Sequence, residues 1–144
     1  IADEPTTALD VTVQAQILDL LGALQRERGL GVLLITHNLG VVATNAQRVM
    51  VMYGGDVVES AEVSDFFAKP LHPYSRGLID SVPSRNARGQ PLRQIPGMTP
   101  SLLGLGEGCP FRERCASATA RCAESPEVTE PAPGRRLRCF HPAH

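Results

Sequence analysis

The sequence predicts an α/β fold, and three features of the chain carry this prediction. A strand–helix–strand pattern covers residues 1–36, a Gly54-Gly55 pair separates two apolar segments, and a loop-rich tail contains all four cysteines. The first pattern is typical of parallel strands joined by a helix, and the second is typical of a β-hairpin. We therefore expect parallel strands and helices, then a hairpin, then a cysteine-containing extension.

The first helix has recognisable start and stop residues. The Asp10 carboxylate can accept hydrogen bonds from the free amides of a first helical turn, and Gly29 can adopt the left-handed conformation of a C-cap. The pattern therefore predicts a helix between these two residues. Within it, apolar residues recur at helical spacing, at Ile17, Leu20, Leu21 and Leu24.

Apolar segments flank this helix on both sides. Ile1 and Ala2 precede two carboxylates, which indicates the end of a strand, and we expect the start of that strand to lie before residue 1. The apolar run 30–36 suits a parallel strand that is covered on both faces. A right-handed βαβ unit is therefore predicted.

The remainder of the chain alternates short elements with turns. The Gly54-Gly55 pair tolerates positive φ at both positions, so it predicts a tight turn between two strands. From residue 83 to 108, proline, glycine, arginine and serine are frequent, which indicates a linker. The predicted elements are a short helix over 38–46, strands over 48–53 and 56–60, and helices over 63–68 and 74–81.

Composition excludes some classes of function. A hydrophobic content of 42% is sufficient for a packed core. The net charge of −1 gives no basic surface for nucleic acid or for an anionic membrane. No apolar run is long enough to cross a bilayer, so any membrane association is expected to depend on a partner protein.

Three polar side chains follow the two predicted parallel strands. Asp3 and Glu4 end the first strand, and His37 ends the second. Ligands of open α/β sheets gather at the carboxyl ends of the strands, so these side chains could converge on one site. The alternative is that they simply terminate strands, where polar residues are common.

Two sequence motifs favour the interpretation that these side chains form a shared site. Residues 1–10, Ile-Ala-Asp-Glu-Pro-Thr-Thr-Ala-Leu-Asp, resemble the Walker B strand and D-loop of ABC ATPases, which are P-loop NTPases. Residues 35–39, Ile-Thr-His-Asn-Leu, resemble the switch-histidine loop of the same family. The two motifs occur in the family's order, with a helix and a strand between them.

The resemblance implies a role for each matching position. Asp3 would hold the Mg²⁺ shell, for which oxygen ligands are suited. Glu4 would orient and polarise the attacking water, and His37 would contact the γ-phosphate of ATP. Asp10 would lie in the D-loop at the interface between two ATPase subunits, a role compatible with helix capping.

The sequence lacks two elements that the family uses to bind ATP. A phosphate-binding loop of the form G-x-x-x-x-G-K-[ST] needs a lysine, and the single lysine here, Lys69, precedes Pro70 and follows no glycine loop. The Ser-Gly-Gly-Gln signature is also missing from the sequence. We expect the parent protein to be an ABC-type ATPase and the chain alone to have no ATPase activity.

The four cysteines allow several interpretations. In a cytosolic protein a metal or cluster site is favoured over disulfides, and four thiolates can hold a [4Fe–4S] cluster. Zinc is a weaker candidate, because none of the gaps is the common C-x₂-C, and four free thiols are the remaining alternative. The cysteines are Cys109, Cys115, Cys122 and Cys139.

The second half of the chain indicates which group of ABC ATPases the sequence resembles. Residues 72–78, 95–97 and 108–111, with the cysteines that follow, resemble the carboxy-terminal extension of oligopeptide/dipeptide importer ATPases. In some members of that family four cysteines are associated with an iron–sulfur cluster. The resemblance implies the same role for the four cysteines of this chain.

The resemblance also implies a domain division and partners. Residues 1–68 would be the C-terminal part of the ATPase domain, 69–108 a helix and linker, and 109–144 the cysteine-rich extension. The parent protein would pair with a second, identical or homologous ATPase subunit and dock on two membrane permeases at the cytoplasmic face, as a peripheral protein. An extracytoplasmic binding protein would deliver peptides. The alternative is a stand-alone metal- or iron–sulfur-binding regulatory module on a degenerate ATPase scaffold.

Overall fold

A computed structural model describes residues 1–83, 91, 93–101 and 103–143 of the chain. It contains both helices and strands, so the predicted mixed α/β class is confirmed. The chain divides into two units, Ile1–Gln47 and Arg48–His144, which are described separately below. Among the described residues, no helix has the length and apolar character needed to cross a membrane.

The first unit follows the predicted strand–helix–strand order. Its elements are β1 (Ala2–Asp3), α1 (Val11–Arg28), β2 (Leu34–Ile35) and α2 (Leu39–Asn45). Strands β1 and β2 pair in parallel, with Ala2 opposite Leu34 and Asp3 opposite Ile35.

The second strand is shorter than the apolar run that predicted it. Only Leu34 and Ile35 are in β2, whereas the prediction covered 30–36. A strand requires a hydrogen-bonding partner, and β1, its only partner among the described residues, is itself two residues long. Leu30, Val32 and Leu33 are consequently exposed, although their sequence suits a buried strand.

Helix α1 has the predicted caps but no buried side chain. Asp10 Oδ1 accepts hydrogen bonds from the amides of Thr12 and Val13, both at 3.0 Å. Gly29 has a φ of 62° and ends the helix. The caps therefore fix the ends of α1, while apolar residues such as Leu20 remain exposed.

The second unit is built on a four-stranded antiparallel sheet. Strands β3 and β4 form the predicted hairpin, with φ values of 60° at Gly54 and 88° at Gly55. The strand order is β3-β4-β6-β5. The elements of this unit are β3 (Arg48–Tyr53), β4 (Asp56–Glu62), α3 (Val63–Ala68), α4 (Pro73–Asp80), β5 (Thr129–Ala132) and β6 (Arg135–Leu137).

Aromatic rings attach the cysteine segment to the hairpin. Tyr53, at the end of β3, lies edge-on to Tyr74 of α4 and to Phe111, with ring centroids 4.6 and 5.1 Å apart. Tyr53 and Phe111 are buried, and edge-to-face aromatic pairs add to the stabilisation that burial gives. The start of the cysteine segment therefore shares a core with β3 and α4.

A buried carboxylate joins three parts of the second unit. Glu59 of β4 accepts hydrogen bonds from the amides of Leu71 and His72, at 2.9 and 2.8 Å, and from Arg135 Nη2 of β6 at 2.8 Å. The guanidinium of Arg135 also donates to the carbonyl oxygen of Lys69. The Glu59 carboxylate is thus fully enclosed and fully partnered, and it fixes the 69–72 segment against the sheet.

His72 is buried beside this carboxylate. Its Nδ1 accepts a hydrogen bond from the Tyr74 amide at 3.0 Å and caps α4. Burial lowers the pKa of His72 to about 4, so its imidazole is neutral at pH 7.

We predict that Arg135→Met destabilises the chain by about 3–5 kcal/mol, because it leaves the buried Glu59 charge without its cationic partner. Urea denaturation followed by circular dichroism measures the loss. Arg136→Met is the matched control, since Arg136 is the exposed neighbour on the opposite face of β6, and we expect a change within about 0.5 kcal/mol. Equal stability of the two variants would contradict the role given to the buried pair.

Candidate functional site

Glu4 and His37 meet at one edge of the β1–β2 pair. Each residue follows its strand directly or within two positions, and the parallel pairing brings both to the same edge. His37 Nδ1 lies 2.9 Å from Glu4 Oε1. Of the three side chains expected to converge, these two are in direct contact.

The other two predicted positions differ in what they contact. Asp3 is the last residue of β1 and is exposed, and its carboxylate makes no hydrogen bond within the described part of the chain. Asp10 uses its carboxylate to cap α1. The Asp3 carboxylate is therefore available to bind a cation. Asp10 Oδ1, in contrast, already accepts hydrogen bonds from two backbone amides.

The backbone after β1 forms a strained turn. Glu4 has a φ of 43° and Ala8 a φ of 61°, values that non-glycine residues adopt at an energetic cost. The Thr7 amide donates to the Glu4 carbonyl at 3.1 Å, and the Leu9 amide donates to the Thr6 carbonyl at 3.3 Å. These two turns direct the chain from the end of β1 into α1.

Thr7 contacts the same carboxylate as His37 does. Its hydroxyl donates to Glu4 Oε2 at 2.7 Å. Sequence reasoning missed this residue, although a threonine three positions after a carboxylate in a turn is a recognisable signal. Each oxygen of Glu4 therefore has one hydrogen-bonding partner.

These contacts favour the charged form of Glu4. The hydrogen bond from Thr7, followed by that from His37, lowers the pKa of the Glu4 carboxyl below its ordinary value. Glu4 is therefore a carboxylate at neutral pH. An exposed carboxylate with free lone pairs, beside an imidazole, can bind and orient a water molecule.

The loop that carries His37 is fixed by its neighbours. Asn38 caps α2, because its Oδ1 accepts from the amides of Gly40 and Val41, at 2.9 and 3.4 Å. The Asn38 amide in turn donates to Thr36 Oγ1 at 3.1 Å. His37 therefore sits between two residues whose conformations are set by capping bonds.

The four cysteines are reduced in this structure and partly enclosed. Cys109 and Cys122 are buried, Cys115 and Cys139 are half-buried, and none forms a disulfide. The Cys109 amide donates to the Cys122 carbonyl at 3.0 Å, which brings two parts of the extension together. Thiols that are far apart in sequence thus lie in one neighbourhood.

Burial and mutual repulsion favour the neutral thiols. Burial raises the pKa of Cys109, Cys115 and Cys139, that of Cys139 to about 11, and neighbouring cysteines add to the effect. Within the described ranges, no three His, Cys, Asp or Glu side chains are grouped as a metal site. The thiols are therefore near one another but are not arranged as a ready set of ligands.

Gly108 allows the close approach at Cys109. Its φ is 103°, and a Cβ there would lie 2.6 Å from the Ala123 carbonyl oxygen and 2.7 Å from that of Cys122. Such distances are shorter than any real contact of a Cβ atom, so a larger residue would force the two segments apart.

Arg114 holds the 95–97 segment beside the hairpin. Its guanidinium donates to the carbonyl oxygens of Pro96 and Ile95, at 2.8 and 3.1 Å, and to the Tyr53 hydroxyl at 3.2 Å. Ile95 also packs against Gly77 of α4, where a Cβ would lie 2.7 Å from the Ile95 side chain. The 95–97 segment therefore lies beside Arg114, the residue before Cys115.

Comparisons with known proteins find sequence similarity to peptide-transport proteins over almost the whole of this chain. Residues 58–122 match the family model of the oligopeptide/dipeptide transporter C-terminal region. The chain is 50% identical over 142 residues to an oligopeptide transport ATP-binding protein of Escherichia coli, covering 99% of this chain and 42% of that protein. It is 56% identical over 128 residues to a putative peptide import ATP-binding protein of Brucella abortus, covering 85% of this chain and 38% of the relative.

A third relative shows a similar degree of sequence identity and a similar coverage. The oligopeptide transport ATP-binding protein of Haemophilus influenzae is 49% identical over 140 residues, covering 97% of this chain and 43% of that protein. The chain thus spans about two fifths of the length of the curated relatives it matches.

We predict that Gly108→Ala separates Cys109 from Cys122 and increases the rate at which the thiols react with a maleimide or disulfide reagent. The added methyl group has no space beside the two carbonyl oxygens. Gly104→Ala is the matched control, because Gly104 has a similar positive φ of 88° but nothing within 4 Å of the position of a Cβ. Reactivity that rises equally in both variants would indicate backbone strain alone and would contradict the steric explanation.

Proposed function

We propose that this chain is part of the ATP-hydrolysing subunit that energises peptide import across the cytoplasmic membrane. The match of residues 58–122 to the family model of the oligopeptide/dipeptide transporter C-terminal region supports this proposal. The observation that carries the proposal is the contact between Glu4 and His37 at the ends of two parallel strands. The names of the relatives, which are peptide transport and import ATP-binding proteins, support the same activity.

In the proposed reaction, three side chains act at the phosphate end of ATP. Glu4 orients the attacking water, a role supported by its ionised state and its free lone pairs. His37 contacts the γ-phosphate, and Asp3, whose carboxylate is exposed, binds the Mg²⁺ shell. Phosphoryl transfer depends on positioning and electrostatics, and these three residue types supply both.

The proposed assembly is a transporter with two ATPase subunits. Asp10, at the start of α1, would lie at the interface with the second subunit, which is either identical or homologous. Two membrane permeases would bind the pair at the cytoplasmic face, and an extracytoplasmic protein would deliver the peptide. Within this chain, we propose that residues 1–68 belong to the ATPase domain, 69–108 form a helix and linker, and 109–144 form the cysteine-rich extension.

ATP and Mg²⁺ are the cofactors of the proposed reaction, and this chain supplies only part of their binding site. Its sequence has neither the glycine–lysine phosphate loop nor the Ser-Gly-Gly-Gln signature. Without those groups, the phosphates of ATP would meet Asp3 and Glu4 with no phosphate-loop lysine to offset the repulsion. We therefore expect the parent protein to hydrolyse ATP and this chain alone to be inactive.

The cysteine segment is proposed to hold a [4Fe–4S] cluster through Cys109, Cys115, Cys122 and Cys139, with Zn²⁺ as the less favoured occupant. Four thiols in one neighbourhood suit the chemistry of a cluster. The raised pKa values of Cys109, Cys115 and Cys139 mean that these three thiols carry protons here. The thiols would have to lose their protons and move closer to one another to become ligands. Nothing in the comparisons supports the alternative of a stand-alone metal-binding regulatory module.

We predict that Glu4→Gln, introduced into the full-length subunit within its transporter, lowers kcat for ATP hydrolysis by about 10²–10⁴-fold and leaves ATP binding intact. The amide preserves the shape of the side chain but removes its charge. Phosphate release and equilibrium nucleotide binding measure the two quantities. Glu27→Gln on the exposed surface of α1 is the matched control and is expected to hydrolyse at the wild-type rate.

Two results would contradict this assignment. One is a Glu4→Gln transporter that hydrolyses ATP at the wild-type rate. The other is Mg²⁺-dependent hydrolysis by the purified 144-residue chain, which would show that the missing phosphate-binding groups are not required.

We predict that anaerobically purified protein contains iron and acid-labile sulfide in equal amounts and loses both in the Cys122→Ser variant. Cys122 is buried, and its negative charge when ionised contributes to the raised pKa of each of the other three cysteines. Metal analysis and the visible absorption spectrum are the measurements. Zinc without sulfide would support Zn²⁺ as the occupant of the site. Protein that contains neither iron nor zinc would contradict the proposal.

A further inference from the structure

We propose that Thr7 is a positioning residue for the Glu4 carboxylate, and this inference rests on the proposed role of Glu4 in ATP hydrolysis. The Thr7 hydroxyl donates to Glu4 Oε2 at 2.7 Å, while His37 contacts Glu4 Oε1 at 2.9 Å. Thr7 acts through Glu4 and is assigned no contact with the nucleotide.

Two partners on two oxygens define the orientation of the carboxylate. With His37 alone, Glu4 could rotate about the bond that precedes its carboxylate, because its side chain is 43% exposed. A second hydrogen bond, to the other oxygen, fixes the carboxylate plane and leaves the remaining lone pairs in a defined direction. An oriented carboxylate is what the alignment of an attacking water requires.

The backbone keeps the Thr7 hydroxyl in place. The Thr7 amide donates to the Glu4 carbonyl at 3.1 Å, so the same residue is bonded to both the main chain and the side chain of Glu4. The positive φ of Glu4 turns the chain back at this point. In addition, a β-branched side chain such as threonine has restricted freedom about its first torsion angle.

The test compares Thr7→Val, which replaces the hydroxyl with a methyl group, with Thr7→Ser, which retains it. Both are made in the full-length subunit assembled in its transporter, and kcat for ATP hydrolysis is measured together with the equilibrium affinity for ATP. For Thr7→Val we expect kcat to fall roughly tenfold, as for a lost hydrogen bond to a charged group, with no change in ATP affinity. For Thr7→Ser, which keeps the hydroxyl, we expect kcat within about twofold of the wild type.

Thr6→Val is the matched control. Thr6 lies in the same turn, and its side chain makes no hydrogen bond to any other described residue. We expect its kcat to lie within about twofold of the wild type. Thr7→Ala serves as the hydroxyl-free variant if Thr7→Val does not fold, and thermal unfolding checks each protein.

A second measurement separates this inference from the proposed function. High-resolution crystal structures of the nucleotide-free full-length subunit and its variants show the Glu4 carboxylate directly. We expect the carboxylate to keep its orientation in Thr7→Ser and Thr6→Val, and to rotate or to occupy several orientations in Thr7→Val. If the transporter hydrolyses no ATP, the proposed function fails and these structures still decide the role of Thr7. The same Glu4 orientation in Thr7→Val and Thr7→Ser, or equal kcat in the two variants, overturns the inference.

Discussion

The hydrogen bond from the Glu4 amide to the Ile35 carbonyl, 2.9 Å long, is the last link of the parallel ladder between β1 and β2. Beyond it, one chain turns toward α1 and the other enters the loop that carries His37. Because side chains alternate between the faces of a strand, a register shift of one residue would send Glu4 and His37 to different surroundings. The 2.9 Å contact between their side chains therefore depends on a pairing that is only two residues long.

Local signals in the sequence predicted local structure well. Asp10 and Gly29 cap α1, and Gly54-Gly55 turns the β3–β4 hairpin, because each of these roles depends on the conformation of a few consecutive residues. The convergence of Glu4 and His37 was also predictable, since it follows from the rule for the ends of parallel strands. The extent of β2 was not, because strand length depends on partners that lie elsewhere in the sequence.

Long-range features of the second unit could not be predicted from the sequence. Strands β5 and β6 lie in the segment that the sequence predicted as a loop-rich tail. Pro131 is unusual in a strand, and it is tolerated in β5 because β5 lies at the edge of the sheet. The pairing of Glu59 with Arg135 joins residues 76 positions apart, and no local pattern indicates it. These contacts incorporate the end of the extension into the sheet, so Leu137 of β6 is part of the core.

The environments of Glu4 and of the cysteines have opposite effects on charge. Hydrogen bonds from Thr7 and His37 favour the carboxylate, whereas burial favours the neutral thiols. A carboxylate stabilised in this way is a weaker base, so removing a proton from water would be a poor use of Glu4. The phosphoryl transfer proposed for the parent protein, however, would require mainly that the water be aligned with the phosphorus, with little proton removal before the transition state. The contacts of Glu4 with Thr7 and His37 would suit that role, because they favour the charged form of the carboxylate at the expense of its basicity.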